Sequence, residues 1–330
     1  MLAAIYEKTG AAREVLRVVE LPDPRPAAGE VRVKLATSGV NPSDVKTRAG
    51  RRTTVLPYPR IVPHSDGAGV IDAVGPGVPE SRLGERVWVW NACWGRADGT
   101  AANYVALPSA QAVPLPASVS FAAGACLGIP ALTALHAVLM DGGVAGKTVL
   151  VAGGAGAVGH YAVQFASRLG AAKVIASVST EEKAAIARAA GADEVVRYRD
   201  EPLAQRVLEL TGGQGVDRVI EVDIAANAAA DVQVLRAGGE CVVYGSGRSP
   251  YELPFFPWIA KNLQLKFFIV YHLAAADRAR AEAVLARMLA RGELSHAIAA
   301  RLPLEEIAAA HELVERGAAT GNVVLRVGAG

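Results

Sequence analysis

A chain of 330 residues is too long for one ordinary core and suits two domains. With 52% hydrophobic residues, 20% charged residues and a net charge of +2, it is neither a disordered polymer nor a strongly basic surface for nucleic acid or anionic membranes. Cys93, Cys126 and Cys241 are scattered, odd in number and form no C-x-x-C pair, which argues against a disulfide framework and for a reducing compartment, the cytoplasm.

Taken in order, the N-terminal Met1-Leu2-Ala3-Ala4-Ile5-Tyr6-Glu7-Lys8 has no basic region followed by a long apolar core. No later apolar run approaches the roughly 18 residues of a membrane span. From Val15 to Val113, short β-branched runs such as Val31–Leu35, Gly69–Val74 and Arg86–Trp90 are punctuated by Pro and Gly, which predicts a mostly antiparallel β domain. From about Phe121 to Tyr271, apolar strands alternate with Ala-rich helices. The expected strands are Thr148–Ala152, Lys173–Ser177, Arg218–Val222, Glu240–Tyr244 and Leu265–Val270, with helices at Glu181–Ala190 and Ala226–Arg236. Such alternation implies a parallel, doubly wound sheet. Beyond Ala274 the pattern predicts a helix to about Arg291, a Pro-started helix over Leu302–Glu312 and a last strand at Asn322–Val327.

The most informative stretch is Thr148–Gly159, an apolar run that breaks into G-x-G-x-x-G and continues into a helical pattern. Gly154 is expected to take the turn's backbone angles, Gly156 to admit a pyrophosphate, and Gly159 to pack helix on strand. The helix N-terminus offers N–H groups and a partial positive charge to the phosphates. In a NAD site an acid about 20 residues further on bonds the ribose 2′-hydroxyl. Here the second strand ends Ala176-Ser177-Val178-Ser179-Thr180, with no acid before Glu181. Ser179 leaves room for a 2′-phosphate, Tyr198 can close the same pocket, and Lys183 either supplies charge or is a solvated helix residue. These residues point to NADPH.

The stretches Ser38-Gly39-Val40-Asn41-Pro42-Ser43-Asp44, Leu56-Pro57-Tyr58-Pro59, Ser65–Gly75, Gly128–Ala134, Leu302–Ile307 and Ala319–Leu325 resemble the medium-chain dehydrogenase/reductase superfamily. Within it they look most like the zinc-free quinone oxidoreductases of zeta-crystallin type. The resemblance implies an α/β fold in which a Rossmann doubly wound parallel sheet is inserted in a GroES-like β-rich catalytic domain. The expected division is 1–122 and 273–330 for the catalytic domain and 123–272 for NADP(H) binding, with the active site in the cleft between them. It carries over Ala155, Gly156, Ala157 and Val158 to the pyrophosphate and Ser179, Lys183 and Tyr198 to the adenosine phosphate. Asn227, whose register is open, Tyr244-Gly245-Ser246 and Ile269-Val270-Tyr271 are carried over as further cofactor contacts. The apolar edge of the last Rossmann strand implies a homodimer.

Zinc-dependent relatives hold a metal with a Cys, a His-Glu pair and a later Cys, for which this chain has Asn41, Ser65-Asp66 and Ile129. No metal site is expected from these. His64 reads as a hydrogen-bonded turn or cleft-lining histidine, and His136 as a core or interface one. Without a Lewis acid the acceptor must bring its own electrophilicity, as quinones and enones do. Asn41 is the first candidate to hold cofactor or substrate, or else a turn-starting Asn, with Asp44 bracing its loop. Lys46 stands where the family has a Tyr; it either polarises the acceptor or is an exposed replacement. Tyr58 lines the cleft or is a packed loop residue. The rival readings are an enoyl-thioester or alkenal reductase, with Arg48, Arg51 and Arg52 as a basic entry, and a crystallin-like or RNA-binding protein with little turnover. The near-neutral charge and 5% aromatic content argue against nucleic acid.

Overall fold

The computed structural model describes residues 1–51 and 53–328. It divides into two compact units, Met1–Pro130 with Ala286–Gly330, and Ala131–Leu285. Both divisions fall later than the 122/123 and 272/273 boundaries drawn from the sequence. The first lies inside a wide π-helical turn, Leu127–Ala131, and the second inside a continuous helix, so neither is marked by a change of composition.

The first unit opens with β1 (Leu2–Ile5), α1 (Ala12–Val15), β2 (Arg17–Glu20), β3 (Glu30–Val40) and α2 (Pro42–Arg48). It continues with β4 (Asp66–Val74), β5 (Arg86–Val89), β6 (Tyr104–Pro108), β7 (Ala112–Pro114) and α3 (Phe121–Gly124). β1 and β2 form an antiparallel ribbon. Strand β3 runs through the main sheet, and its alternation buries Val31, Val33 and Leu35 while Lys34 faces outward. Those residues pack with Ile71, Val87, Val89 and Leu107 in one apolar core.

The second unit contains α4 (Leu132–Leu139), β8 (Thr148–Ala152), α5 (Ala157–Arg168), β9 (Lys173–Val178), α6 (Glu181–Ala189) and β10 (Glu194–Arg197). Then come α7 (Leu203–Leu210), β11 (Val216–Glu221), α8 (Ile224–Val234), β12 (Leu235–Val243), α9 (Phe255–Ala260), β13 (Gln264–Phe267) and α10 (Ala275–Ala290). Among the described residues its sheet has six parallel strands in the order β10-β9-β8-β11-β12-β13. This is the doubly wound order with a reversal between β8 and β11, where such folds place ligands. One strand more than the five expected is present, because β10 is short and charged at both ends. Strand β13 stops at Phe267 instead of Val270, and the chain then makes a single 3₁₀ turn, Val270–His272.

The chain returns to the first unit with β14 (Ile298–Pro303), α11 (Ile307–Glu315) and β15 (Asn322–Arg326). The main sheet, of seven strands among the described residues, runs β14-β15-β3-β4-β5-β7, with β6 also on β3. The Pro-started helix expected over Leu302–Glu312 is corrected here. Pro303 closes an edge strand, where its missing N–H breaks no ladder bond, and the helix begins at Ile307 after a 3₁₀ turn. No helix among the described residues is long and apolar enough to cross a membrane.

Candidate functional site

Strand β8 delivers the glycine turn to the ligand-facing end of the parallel sheet. The left-handed residue is Gly153 (φ 67°), not Gly154 as the motif suggested. Gly154 is needed for space, since a Cβ there would lie 2.6 Å from Ala176 Cβ. A Cβ on Gly159 would run into the Gly153 carbonyl oxygen, so Gly159 lets α5 close onto the turn rather than onto the strand. Gly156 caps α5 in extended backbone with no side-chain acceptor. The first helical bond runs from His160 N–H to Gly156 O (2.9 Å), so the N–H groups of Ala157, Val158 and Gly159 point forward out of the helix. Ala155 is buried beneath the turn.

At the end of β9, Ser179 is buried and Thr180 caps α6, its hydroxyl accepting the Lys183 N–H (3.4 Å). Tyr198 is 49% exposed and its N–H donates to Val178 O (3.1 Å), which brings it beside Ser179. Lys183 is half-buried on α6. The nearest acid, Glu181, accepts from Arg188 (2.7 Å) and pairs with Arg197 (3.4 Å), and these cations, Arg188 first, hold its carboxyl below the usual range. Arg197 was missed in the sequence. The signal was a basic residue closing an apolar Val-Val pair one position before Tyr198.

Past β11 and β12 the backbone is cross-tied. Tyr244 N–H donates to Glu221 O (3.1 Å), Ile224 N–H to Gly245 O (3.3 Å), and Gly247 N–H to Asp223 Oδ1 (2.7 Å). Asn227 stands on α8 with its amide donating to Glu221 Oε1 (2.9 Å). Ser246 donates to Arg248 O (2.6 Å), and a side chain on Gly245 would strike the Val222 carbonyl. Ile269 is 37% exposed, Val270 is buried and Tyr271 half-buried in the turn after β13.

In the first unit the three positions aligned with metal ligands do converge, and they are joined by hydrogen bonds. Asp66 Oδ2 accepts from Asn41 Nδ2 (2.9 Å) and from the Ile129 N–H (2.9 Å). The Ile129 N–H is available because the chain makes its π-helical turn there, with Pro130 inside it. Asp66 is fully buried, which pushes its carboxyl well above the ordinary value despite both bonds. Asn41 also starts α2, with its N–H on Asp44 Oδ2 (2.8 Å), so Asp44 braces this loop. Two of the three groups present hydrogens rather than lone pairs. Such a donor set does not fit a zinc ion.

His64, at φ 78°, lies one residue before this cluster and is wholly buried. Its Nδ1 is 2.8 Å from Ser38 Oγ, Ser38 is 2.8 Å from Thr100 Oγ1, and Thr100 donates to Asp66 O (2.5 Å). Read backwards, that last donation makes Ser38 donate to Thr100 and His64 Nδ1–H donate to Ser38. His64 Nε2 therefore accepts from His311 Nε2 (2.9 Å), and burial holds both rings neutral, with His64 lowered to about 3. His136 packs edge-on against Phe268.

Lys46 is half-buried on α2, and its carbonyl accepts the Arg51 N–H (2.9 Å). Tyr58 is half-buried, packs on the β-domain core and donates its hydroxyl to Gly95 O (2.5 Å). The basic entry fails at its first member. Arg48 is wholly buried, donating to Gly10 O (2.5 Å) and Glu315 (2.9 Å), because its stem packs inward from α2. Arg51 lies 3.8 Å from the same carboxylate, and Arg52 is outside the described residues. Among the described residues no three His, Cys, Asp or Glu side chains cluster for a metal.

Comparisons with known proteins agree with this architecture. Residues 27–117 match the alcohol dehydrogenase GroES-like domain and 157–290 the zinc-binding dehydrogenase model. A Homo sapiens quinone oxidoreductase is 32% identical over 94% of each chain. A solved NAD-dependent alcohol dehydrogenase superposes with TM-score 0.89 at 34% identity, covering 99% of this chain and all of its own. An Escherichia coli quinone oxidoreductase solved with NADPH gives TM-score 0.87 at 27% identity over 99% of this chain and 100% of that one. The chain therefore belongs to the zeta-crystallin-like quinone oxidoreductase family of the medium-chain dehydrogenase/reductase superfamily.

Proposed function

We propose that this chain is an NADPH-dependent, zinc-independent reductase of quinones or related activated carbonyls. The observation that carries the reading is the Asn41–Asp66–Ile129 cluster, in which hydrogen bonds occupy the places of metal ligands. Bound NADPH supplies the hydride. The α5 N-terminus and the glycine turn bind its pyrophosphate. Ser179, Lys183 and Tyr198 take the 2′-phosphate, and the first acid beyond Ser179, Glu181, is paired with Arg188 and Arg197. The loops bearing Asn227, Tyr244-Gly245-Ser246 and Ile269-Val270-Tyr271 hold the rest of the cofactor.

A conjugated acceptor delocalises the charge that hydride brings, so the protein need only orient it, exclude water and offer donors to the developing oxyanion. Lys46 is the cation assigned to that oxyanion. Asn41 keeps one amide hydrogen beyond its bond to Asp66 and is assigned to orient cofactor or acceptor. Tyr58, with its hydroxyl committed to Gly95, is assigned to the wall of the acceptor pocket.

The test is NADPH oxidation with 1,2- and 1,4-quinones, alkenals and enoyl-CoAs, run in parallel with NADH and with a chelator. Quinone turnover unaffected by chelation is expected; alcohol oxidation abolished by chelation would overturn the reading. Ser179→Asp sets a carboxylate against the 2′-phosphate and is expected to lower the NADPH/NADH ratio of kcat/KM by about 100-fold. An unchanged ratio would remove the phosphate site from Ser179.

We further propose a cytoplasmic homodimer. Cys93, Cys126 and Cys241 are all free thiols. Strand β13 ends the six-stranded sheet, and Phe255, Phe256, Ile259 and Phe267 beside it are 71%, 76%, 54% and 59% exposed. An unpaired apolar edge of this kind is covered by pairing with its twin. Light scattering should report twice the chain mass, and Phe256→Glu with Phe267→Lys should give monomer; a wild-type monomer at micromolar concentration would exclude the dimer.

A further inference from the structure

Two carboxyl groups lie buried together beneath the loops assigned to the cofactor. Glu221, the last residue of β11, is wholly buried. Its Oε1 accepts from the Asp223 N–H and from Asn227 Nδ2. Asp231, further along α8, is 1% exposed, and its carboxyl is within hydrogen-bonding reach of Glu221. Glu221 Oε2 is buried and meets no N–H or hydroxyl donor. The carboxyl of Asp231 satisfies Glu221 by carrying a proton and donating it. Two ionised carboxylates in dry contact repel, so one shared proton is the stable arrangement. The proton belongs on Asp231, because Glu221 already accepts two N–H bonds that favour its ionised form.

Among the described residues, the groups facing this pair supply no compensating cation. They are Asp223 in the turn after β11, Asn227 on α8, Cys241 on β12, whose Sγ is 3.9 Å from Asp231 Oδ2, and Tyr244 just after β12. Burial, ahead of the neighbouring carboxylates, pushes the Cys241 thiol and the Tyr244 phenol well above their ordinary values, so both stay neutral. Burial, with Glu221 beside it, pushes the Asp231 carboxyl well above its ordinary value.

We propose that the proton shared between Asp231 and Glu221 is a positioning device for the cofactor, holding the loops after β11 and β12 in the form that receives NADPH. This rests on the reading of the chain as an NADPH enzyme. Glu221 sets the Asp223 N–H, Asp223 Oδ1 sets Gly247, and the Ile224 N–H sets Gly245, so one carboxylate anchors both loops. When Asp231 gives its proton to solvent base, two adjacent carboxylates remain, and Glu221 is driven off the Asp223 and Asn227 donors. Asp231 acts through Glu221 and does not itself touch the cofactor.

The experiment measures the NADPH dissociation constant from the reduced nicotinamide's fluorescence between pH 7 and pH 10, without an acceptor, alongside thermal unfolding. Wild type is expected to weaken by about tenfold between pH 7 and pH 10, as Asp231 gives up its proton. Asp231→Asn, whose amide donates to Glu221 at every pH, should change less than twofold over the same range. Asp231→Leu, with no donor, should bind weakly throughout. Equal pH slopes for wild type and Asp231→Asn would overturn the proposal, as would a pH dependence carried by thermal unfolding alone. Failure of wild type to bind NADPH even at pH 7 would instead overturn the functional reading, and this inference with it.

Discussion

Replacing Arg218 with Met is expected to lower the unfolding free energy by about 3–5 kcal/mol, because the carbonyls at the end of α4 lose their buried donor at about 1–3 kcal/mol each and Glu240 keeps only Lys147 and Lys266. Arg218 is wholly buried on β11. Its guanidinium donates to Glu240 (2.7 Å) and to the carbonyls of Ala137 (2.9 Å), Val138 (3.0 Å) and Met140 (2.9 Å). Those carbonyls close α4 and have no partner within the helix, so Arg218 is at once ion pair and C-terminal cap. Burial alone would raise the Glu240 carboxyl, but hydrogen bonds from Lys147, Lys266 and Arg218 outweigh it and bring it to about 2. Because that folded value lies below the ordinary 4.5, the contribution of Glu240 is complete above pH 4.5 and is lost as pH falls toward 2. Urea denaturation of wild type and Arg218→Met at pH 7 and pH 3 checks both parts. A loss under 1 kcal/mol at pH 7 would mean that α4 is held by packing alone.

Asp66 carries the second large expectation. In Asp66→Ala the Asn41 amide and the Ile129 N–H both lose their acceptor in a dry site, at about 1–3 kcal/mol each. Loss of quinone reduction should exceed the loss of folded protein, since Asn41 is no longer oriented. Asp66→Asn retains an acceptor oxygen for both donors and should keep most of the stability. The two variants differ in pH response as well. Burial, reinforced by Asp44 and opposed by the Ile129 and Asn41 bonds, holds the Asp66 carboxyl well above its ordinary value of 3.8. The folded state therefore keeps a proton that the unfolded chain releases. That contribution is complete below about pH 4 and declines by about 1.4 kcal/mol per pH unit as pH rises toward the folded value. Asp66→Asn should remove this decline, visible as a flatter stability profile above about pH 4. A profile identical to wild type would place the titration elsewhere.

Local signals served well where the physics is local. The run into Thr148–Ala152 matches β8 residue for residue, because a β-branched apolar segment bounded by glycines has few alternatives. The alternation of strand and helix from β8 onward announced a parallel sheet for the same reason. The motif did not say which glycine is left-handed. That depends on where the strand releases the chain, and the answer is Gly153. Strand β10 is too short for its pattern to register, and Pro303 reads as a helix start because nothing nearby in sequence shows that it lies on a sheet edge.

Sequence by itself determined the dinucleotide turn, the acid-free end of β9, the β-then-α/β organisation and the absence of Cys and His at the metal positions. Each is a property of residue type at a known spacing. Only tertiary structure decided what those residues do for one another. It joined Asn41 and Ile129 through the Asp66 carboxyl, and His64 to His311 across 247 positions. It turned Arg48 inward to Glu315 instead of outward to a ligand, and set Asp231 against Glu221. A buried polar group must find its partner, and a folded chain supplies partners from segments that spacing along the sequence does not relate.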